Sequence, residues 1–485
     1  MLVLEIDNVS CKFVGNIEYH VEQKIKLETS YFHQGAMFMR KFSNKFKGWD
    51  GRVDLYRYKK FPIGFLNTVV KILEKQKVKY RVLDKRPHLN YGKSLVIDKN
   101  CFFKPRPYQK AALDACIGSN SGIVKIATGG GKTGVISMLA GHYNIKTVIY
   151  VIGVELLYQM KSTLETLYPE LDVGIVGDGQ CNIKQINIAT IWSAAAAFNK
   201  KIEVYDSDMT SDKKIKDIDK EKVRDMVNSA ELFVLDECQY AAASTVQFLH
   251  KESKSARHRF LFSASPWRDT GDDILIEAVG GKKIFDLPAS DLIKDGWLVQ
   301  PSIYFLQVPT KRGVGKKYQE VYKNYIVDND DRNELIRKSA ESLVAKGKKV
   351  LILVVRVGHG NVLMEKLSEQ FKVEFLDGQK SSKQRLETIQ NMKDGKVEIL
   401  IASKIFDQGV DIPELDALIL AGSGKSSGRA LQRIGRVIRR HPNKKRAIVV
   451  EFFDNCKFLR EHSEARKKVY KTESLFKVIE ANNKI

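Results

Sequence analysis

The stretch Ile126-Ala127-Thr128-Gly129-Gly130-Gly131-Lys132-Thr133 constrains this chain more than any other. An apolar run from Gly122 to Ile126 precedes it, and Val135-Ile136-Ser137-Met138-Leu139 follows as the buried face of a helix. Strand, glycine turn and helix in that order force a parallel βα unit. The glycines let the backbone wrap close enough for its N–H groups to face anionic oxygens at a helix N-terminus. In such a loop Lys132 reaches the outer phosphates of a nucleotide and the Thr133 hydroxyl holds Mg²⁺. The full phosphate-loop pattern opens on glycine, and Ile126 stands there instead, so the match is partial. A plain tight βα turn is the alternative reading of the same residues.

At 485 residues the chain exceeds one ordinary core, which implies two to four domains. Its 81 Lys and Arg against 58 Asp and Glu leave a charge of +23, which suits a polyanion, with nucleic acid the first candidate. The plainer reading is charge that only keeps the protein dispersed. Residues 1–100 hold 20 of the bases against 10 acids. Between Met37 and Lys60, aromatics alternate with bases, a composition able to stack on nucleobases and meet phosphates. Arg40, Lys41, Trp49 and Arg52 are the candidates for that contact. The competing reading makes the aromatics core and the bases a solvated face. Leu2 to Ile6 reads as a strand, Phe65 to Gln76 as an amphipathic helix and Val78 to Val82 as a half-exposed strand, together a small α+β module. The six cysteines are scattered without a C-x-x-C pair, which argues against structural zinc or disulfides and for a reducing compartment. No apolar run approaches membrane-spanning length and the N-terminus does not resemble a signal peptide, so a cytoplasmic protein with no membrane partner is expected.

From Pro105 onward short apolar strands alternate with helical stretches, the pattern of a parallel sheet wrapped by helices. Thr147–Ile152 and Ile186–Thr190 are two such strands, and residues 200–230 read as an exposed charged insertion. Leu232 to Leu235 is a buried strand that delivers Asp236-Glu237-Cys238-Gln239 at its carboxyl end, the edge where open parallel sheets bind ligands. There Asp236 is suited to a Mg²⁺ shell and Glu237 to orienting or deprotonating an attacking water. An acidic helix N-terminus is the structural alternative. Another strand, Arg259 to Phe262, delivers Ser263-Ala264-Ser265. Residues 299 to about 348 read as a bridge whose helical stretch includes Tyr318, Tyr322, Tyr325, Arg332 and Arg337. A second α/β series then begins: Val350–Val355, Val373–Leu376 and Val397–Ile401 are strands, the last leading to Ser403 and Gly409-Val410-Asp411-Ile412-Pro413. Gly428 to Arg440 is a basic helix and the tail from Asn455 is expected to be helical.

In this order the pieces resemble a superfamily 2 helicase of the DExH type across roughly residues 104–452, and the phage UvsW-like helicases within it. Arg106-Pro107-Tyr108-Gln109 looks like the adenine-reading element, Ala127–Thr133 like motif I and Asp236–Gln239 like the DExH box, with Gln239 in the place of His. Gly409–Pro413 resembles motif V, and Gln432-Arg433-Ile434-Gly435-Arg436-Val437-Ile438-Arg439 matches the Q-x-x-G-R-x-x-R of motif VI. The stretch Gly48-Trp49-Asp50-Gly51-Arg52 is similar to the N-terminal modules of the UvsW-like group.

The resemblance implies two RecA-like parallel-sheet motor domains, at 101–298 and 299–454, behind a nucleic-acid-binding module at 1–100 and ahead of a basic helical tail at 455–485. It implies ATP and Mg²⁺ as cofactors. Nucleotide would meet Arg106, Gln109, Thr128, Gly129, Gly130, Gly131, Lys132, Thr133, Gly409, Asp411 and Gln432, and the metal Thr133 and Asp236. Lys132, Glu237, Arg436 and Arg439 would be catalytic, and Thr190, Ser193 and Ser403 would face a phosphate backbone. The implied activity is remodelling of branched DNA, with forks and four-way junctions as partners. An RNA helicase and a non-catalytic ATP-switched clamp are the alternatives. Glu237 and Arg436 together argue against the clamp, which has no need of both.

Overall fold

The computed structural model describes residues 1–199, 217–267, 271–309, 315, 317–380, 382–403, 412, 414–422, 424, 426–442 and 444–481. Its contacts divide into two compact units, Met1–Ile126 with Gly131–Asp286, and Ala127–Gly130 with Leu287–Ile485. The change falls at Asp286, ahead of the boundary expected at residue 298.

The first unit opens on a four-stranded sheet in the order Lys60–Pro62, Ser10–Val14, Leu2–Ile6, Tyr80–Asp84. Leu2, Leu4 and Ile6 are buried while Val3 and Glu5 are half-exposed, the period of two that sets which face the helices cover. Val69, Ile72 and Leu73 form the buried stripe of the helix Leu66–Lys75, at the three- and four-residue spacing expected. With Val21, Ile25, Phe13, Phe61 and Phe65 they make a core of their own.

That core does not close on itself. Ala278, from a helix Ile274–Gly280 far along the chain, is part of it. Gly64 lies so near this helix that a Cβ there would sit 1.9 Å from the Glu277 carbonyl oxygen. Asn8 Nδ2 donates to the Lys254 carbonyl at 3.1 Å, and the buried Arg259 donates from Nε to the Asn8 carbonyl at 3.1 Å and from Nη2 to the Ser253 carbonyl at 2.7 Å. The last stretch of the first hundred residues is also held. Tyr91 OH bonds His258 Nε2 at 2.8 Å, and the Leu95 and Asp98 amides donate to the Gly141 and Leu167 carbonyls.

The large sheet of this unit has the order Gln180–Asn182, Val173–Gly177, Ile186–Thr190, Thr147–Val151, Leu232–Asp236, His258–Ser263, Ser121–Ile126, Lys283–Leu287. Its six central strands, from Val173–Gly177 through Ser121–Ile126, pair in parallel. Strands buried on both faces read as unbroken apolar runs, which is why these were visible in the sequence. Within the stretch expected to be an exposed insertion, Asp217–Ser229 is a helix with Val223, Met226 and Val227 buried in the unit's core.

The second unit is a seven-stranded parallel sheet in the order Val373–Leu376, Ile399–Ala402, Val350–Leu353, Ala417–Leu420, Ala447–Asp454, Pro301–Val308, Lys477–Ala481. Two expectations are corrected here. The bridge begins with the strand Pro301–Val308, deep in the sheet, before its helices. The tail holds the helix Leu459–Tyr470 and then a strand, Lys477–Ala481, that pairs with Pro301–Val308. Each strand finds its partner more than a hundred residues away, so no local pattern announces the pairing.

Candidate nucleotide and nucleic-acid site

The strand Ser121–Ile126 ends in the glycine turn, and the helix Lys132–Tyr143 starts at Lys132. Gly129 and Gly131 have φ of +87° and +74°, a left-handed region costly to any residue with a Cβ. The Gly130 amide donates back to the Ala127 carbonyl at 3.0 Å. Gly131 is the N-cap, so the first turn of this helix presents unpaired N–H groups with Lys132 beside them, an arrangement suited to phosphate oxygens.

Gln109 braces the turn from below. Its Oε1 accepts the Arg106 amide at 2.9 Å and its Nε2 donates to the Gly131 carbonyl at 3.2 Å. Arg106 in turn donates from Nη1 to Tyr108 OH at 2.7 Å. Gln109, expected to read a base edge, is thus buried and tied at both ends of its amide. Phe103, which the sequence did not single out, packs on the same helix, where a Cβ on Gly134 would meet its ring at 2.7 Å.

The strands that carry the other groups stand next to this one. His258–Ser263 is the neighbour of Ser121–Ile126 and Leu232–Asp236 is the neighbour after that, with Asp236 opposite Phe262 and Phe262 opposite Val124. All three run in parallel, so their carboxyl ends bring Lys132, Ser263 and Asp236-Glu237 to one edge. Glu237 adopts φ +59° and ψ +62°, a strained backbone for a side chain of its size. Its Oε2 accepts from Gln239 Nε2 at 3.1 Å, and Ser263 Oγ lies 2.8 Å from Gln239 Oε1 and 3.3 Å from Glu237 Oε2. Ser263 has one hydroxyl proton, and the shorter bond assigns it to Gln239. The Ser265 amide completes the link by donating to Ser263 Oγ at 3.0 Å. Gln239 thus holds the Glu237 carboxylate directly, and Ser263 holds Gln239. In the sequence Gln239 stood in the place of the DExH histidine, and Ser263 was marked by its position after a buried strand.

Asp236 is buried, and its Oδ1 accepts the Glu237 amide at 3.0 Å. Burial first, and then the Glu237 carboxylate, push its pKa up, while the Lys132 ammonium opposes them. One ammonium against two adjacent carboxylates, in a buried corner, is a charge deficit that a divalent cation removes. Mg²⁺ takes one or two protein ligands and fills its shell with phosphate and water, which fits Asp236 and Thr133 as the donor pair.

In the second unit the helix Ser427–Val437 carries Gln432 and Arg436 one turn apart on a shared face, both half-exposed. Arg433 points the other way, buried, with Nη1 donating to the Gly422 carbonyl at 3.4 Å. Arg439 lies just beyond the helix and forms an isolated bridge with Leu298. Gly409 and Asp411 fall outside the described residues.

The contacts expected for nucleic acid divide. Arg40 and Lys41 are both exposed. Trp49 is half-buried, its ring 5.5 Å from Phe46, its indole N–H donating to the Arg52 carbonyl at 2.6 Å. Arg52 donates from Nη1 to Ser30 Oγ at 3.0 Å. Thr190, Ser193 and Ser403 are buried, and Thr190 Oγ1 is taken up in capping the helix Ile191–Ala196 through the Ser193 amide. Thr190 ends the strand Ile186–Thr190, Ser193 lies on the helix Ile191–Ala196 and Ser403 follows the strand Ile399–Ala402, and packing turns all three side chains inward, away from the backbone contact expected of them.

A parallel sheet edge with this lysine turn and carboxylate pair, followed by a second parallel-sheet domain with an arginine-bearing helix, defines a two-domain nucleoside triphosphate motor. Residues 102–268 match the family model described as the type III restriction enzyme res subunit, and residues 332–441 that of the helicase conserved C-terminal domain. The chain belongs to the superfamily 2 helicases. It is 24% identical over 487 aligned residues to the ATP-dependent DNA helicase uvsW of Enterobacteria phage T4, covering 92% of this chain and 91% of that one. It is 25% identical to the putative ATP-dependent helicase IRC3 of Saccharomyces cerevisiae, over 75% of this chain and 54% of the relative. A putative helicase of a Sulfolobus islandicus filamentous virus is 26% identical, over 73% and 65%. The chain thus spans less than two thirds of the length of these last two. The same fold occurs in the restriction-modification enzyme LlaBIII bound to DNA, at a TM-score of 0.56 and 13% identity over 78% of this chain and 32% of that one. It occurs again in S. cerevisiae Dbp5 bound to RNA and ADP BeF3, at 0.54 and 15% over 79% and 91%. Among the described residues no helix is long and apolar enough to cross a membrane.

Proposed function

We propose that this protein is an ATP-driven DNA helicase or translocase, working in the cytoplasm, that remodels branched DNA such as forks and four-way junctions. The observation that carries the reading is the convergence of Lys132, Asp236, Glu237 and Ser263 on one edge of a parallel sheet. Phosphoryl transfer needs positioning and charge neutralisation more than covalent chemistry. In this reading Lys132 and the helix N-terminus bind the phosphate oxygens. Glu237, held by Gln239 and Ser263, orients a water and accepts its proton. Mg²⁺ held by Thr133 and Asp236 supplies charge neutralisation when bound. Arg436 and Arg439 meet the developing charge from the second domain. The branched substrate is supported by the likeness to the phage T4 helicase, which extends through the N-terminal module as well as the motor.

The test is ATP hydrolysis measured with single-stranded DNA, blunt duplex, forks, four-way junctions and RNA, with Lys132→Ala as the control. Strongest stimulation by branched DNA, lost in Lys132→Ala with DNA affinity largely kept, is the expected result. Stimulation by RNA above all DNA forms would replace the substrate assignment, and turnover surviving in Lys132→Ala would overturn the site.

A further inference from the structure

The N-terminal module buries four large aromatic side chains and yet leaves a cluster of other large apolar side chains in water. Phe13, Tyr56, Phe61 and Phe65 are all at most 2% exposed. Met37, Phe38 and Phe42, on the short helix Ala36–Phe42, are 75, 67 and 64% exposed. Phe38 and Phe42 are one turn apart, with ring centroids 4.4 Å from each other, and Lys41 Nζ lies 5.6 Å from the centre of the Phe42 ring. Exposed apolar side chains in a group mark an interaction surface, whereas scattered ones do not.

The helix stands on a rigid stem. Ser30–Phe32 pairs antiparallel with Arg52–Asp54, and the His33 amide donates to the Gly51 carbonyl at 2.8 Å. Trp49 braces the return through Phe46 and through its bond to Arg52. The stem is near the segment that follows Ser263-Ala264-Ser265 in the same unit, where a Cβ on Gly271 would lie 4.0 Å from Gln34 Nε2.

Charge decides the occupant. From Tyr31 to Trp49 there are four bases, Arg40, Lys41, Lys45 and Lys47, and no acid. A polyanion is complementary to that loop, and among polyanions only unpaired nucleic acid offers ring faces to phenylalanines, because a duplex keeps its bases stacked inside. We propose that the helix Ala36–Phe42 is a base-stacking knob, in which Phe38 and Phe42 take unpaired bases at a branch point and the surrounding lysines and arginine hold the flanking phosphates. This rests on the branched-DNA reading and gives it a strand-junction contact outside the motor.

The experiment uses the full chain with Phe38→Ala/Phe42→Ala, and with Phe38→Trp/Phe42→Trp as the conservative pair. Binding is read on a fork carrying 2-aminopurine as its first unpaired base, on single-stranded DNA and on blunt duplex. The alanine pair is expected to weaken fork and single-strand binding on the order of tenfold or more. Duplex affinity and the slope of affinity against salt should stay unchanged, because stacking releases no counterions. The tryptophan pair should restore binding and perturb the 2-aminopurine signal. Wild-type fork affinity in the alanine pair overturns the proposal, as does an equal loss on blunt duplex. A change in sedimentation with no change in DNA binding overturns it in favour of a protein partner. Wild-type ATP hydrolysis is measured alongside. Its absence would defeat the motor reading and leave the binding comparison to decide the knob separately.

Discussion

Glu237 sits in a left-handed backbone conformation with its carboxylate bonded by a glutamine and beside a serine, while its neighbour Asp236 is buried. That division of labour predicts that Glu237→Gln keeps ATP and Mg²⁺ binding but slows hydrolysis by roughly 10²–10⁴-fold, the range of a lost general base. Equilibrium nucleotide binding beside single-turnover hydrolysis checks it, and a variant unable to bind nucleotide would make Glu237 structural. Three histidines carry a different expectation. Burial lowers the pKa of His250 well below its usual value, that of His258 to about 4 and that of His359 to about 3. At His258 burial is opposed by a backbone hydrogen bond at Asn120 and reinforced by the Arg257 and Arg86 guanidiniums. Because each folded-state pKa lies below the unfolded value, the unfolded chain binds more protons as pH falls below about 6.5. Stability is therefore full above that pH and drains away towards pH 4, by up to ~3 kcal/mol for His258 alone. Unfolding midpoints should fall between pH 7 and 5, and His258→Phe should flatten part of that slope. At this scale the sequence showed which residues matter but not how they are tied. Gln109 matched a motif and its bond to Arg106 is local, yet its bond to Gly131 depends on a turn and a helix start meeting across more than twenty residues.

The helix Ser427–Val437 separates two arginines by burial within one turn. Arg436 is half-exposed, whereas Arg433 is buried against the Gly422 carbonyl. Arg436→Ala should cut turnover by about 10³-fold or more, in keeping with an arginine finger, while leaving the unfolding midpoint near wild type. Arg433→Ala should lower the midpoint instead, since it removes a buried bond. Steady-state hydrolysis and thermal unfolding on both variants separate the roles, and the reverse pattern would exchange them. Elements were legible where local pattern decides them: Leu232–Asp236 and Val350–Leu353 are unbroken apolar runs, and the Gly129-Gly130-Gly131 turn can be little else. The strand Pro301–Val308 was missed because it opens on proline, and its partners Ala447–Asp454 and Lys477–Ala481 come at the far end of the chain.

Across the whole molecule, the module of the first hundred residues reads from sequence as a separable attachment, and the structure makes it part of the first unit. Ala278 completes its core, Arg259 donates into it, and Tyr91 pins the segment that leaves it. A chain starting at residue 101 should therefore unfold at a lower temperature than the full protein and bind hydrophobic dyes, since Ala278 and its neighbours lose their cover. Equal midpoints would show the seat to be dispensable. Gly64 gives a finer probe: Gly64→Val forces a side chain against the Glu277 backbone and should cost about 1–3 kcal/mol in urea unfolding, the usual penalty of overpacking. The same closeness has a mechanical meaning. With a glycine pressed on a carbonyl and a buried guanidinium bonded to both sides, the joint has little compliance, and the module swings as a stiff arm with the unit that carries it. A pair of dyes, one at the arm's tip and one on that unit, should hold a constant distance through a full cycle of ATP turnover, so that force generated at the phosphates arrives at the tip as displacement instead of being absorbed in a hinge.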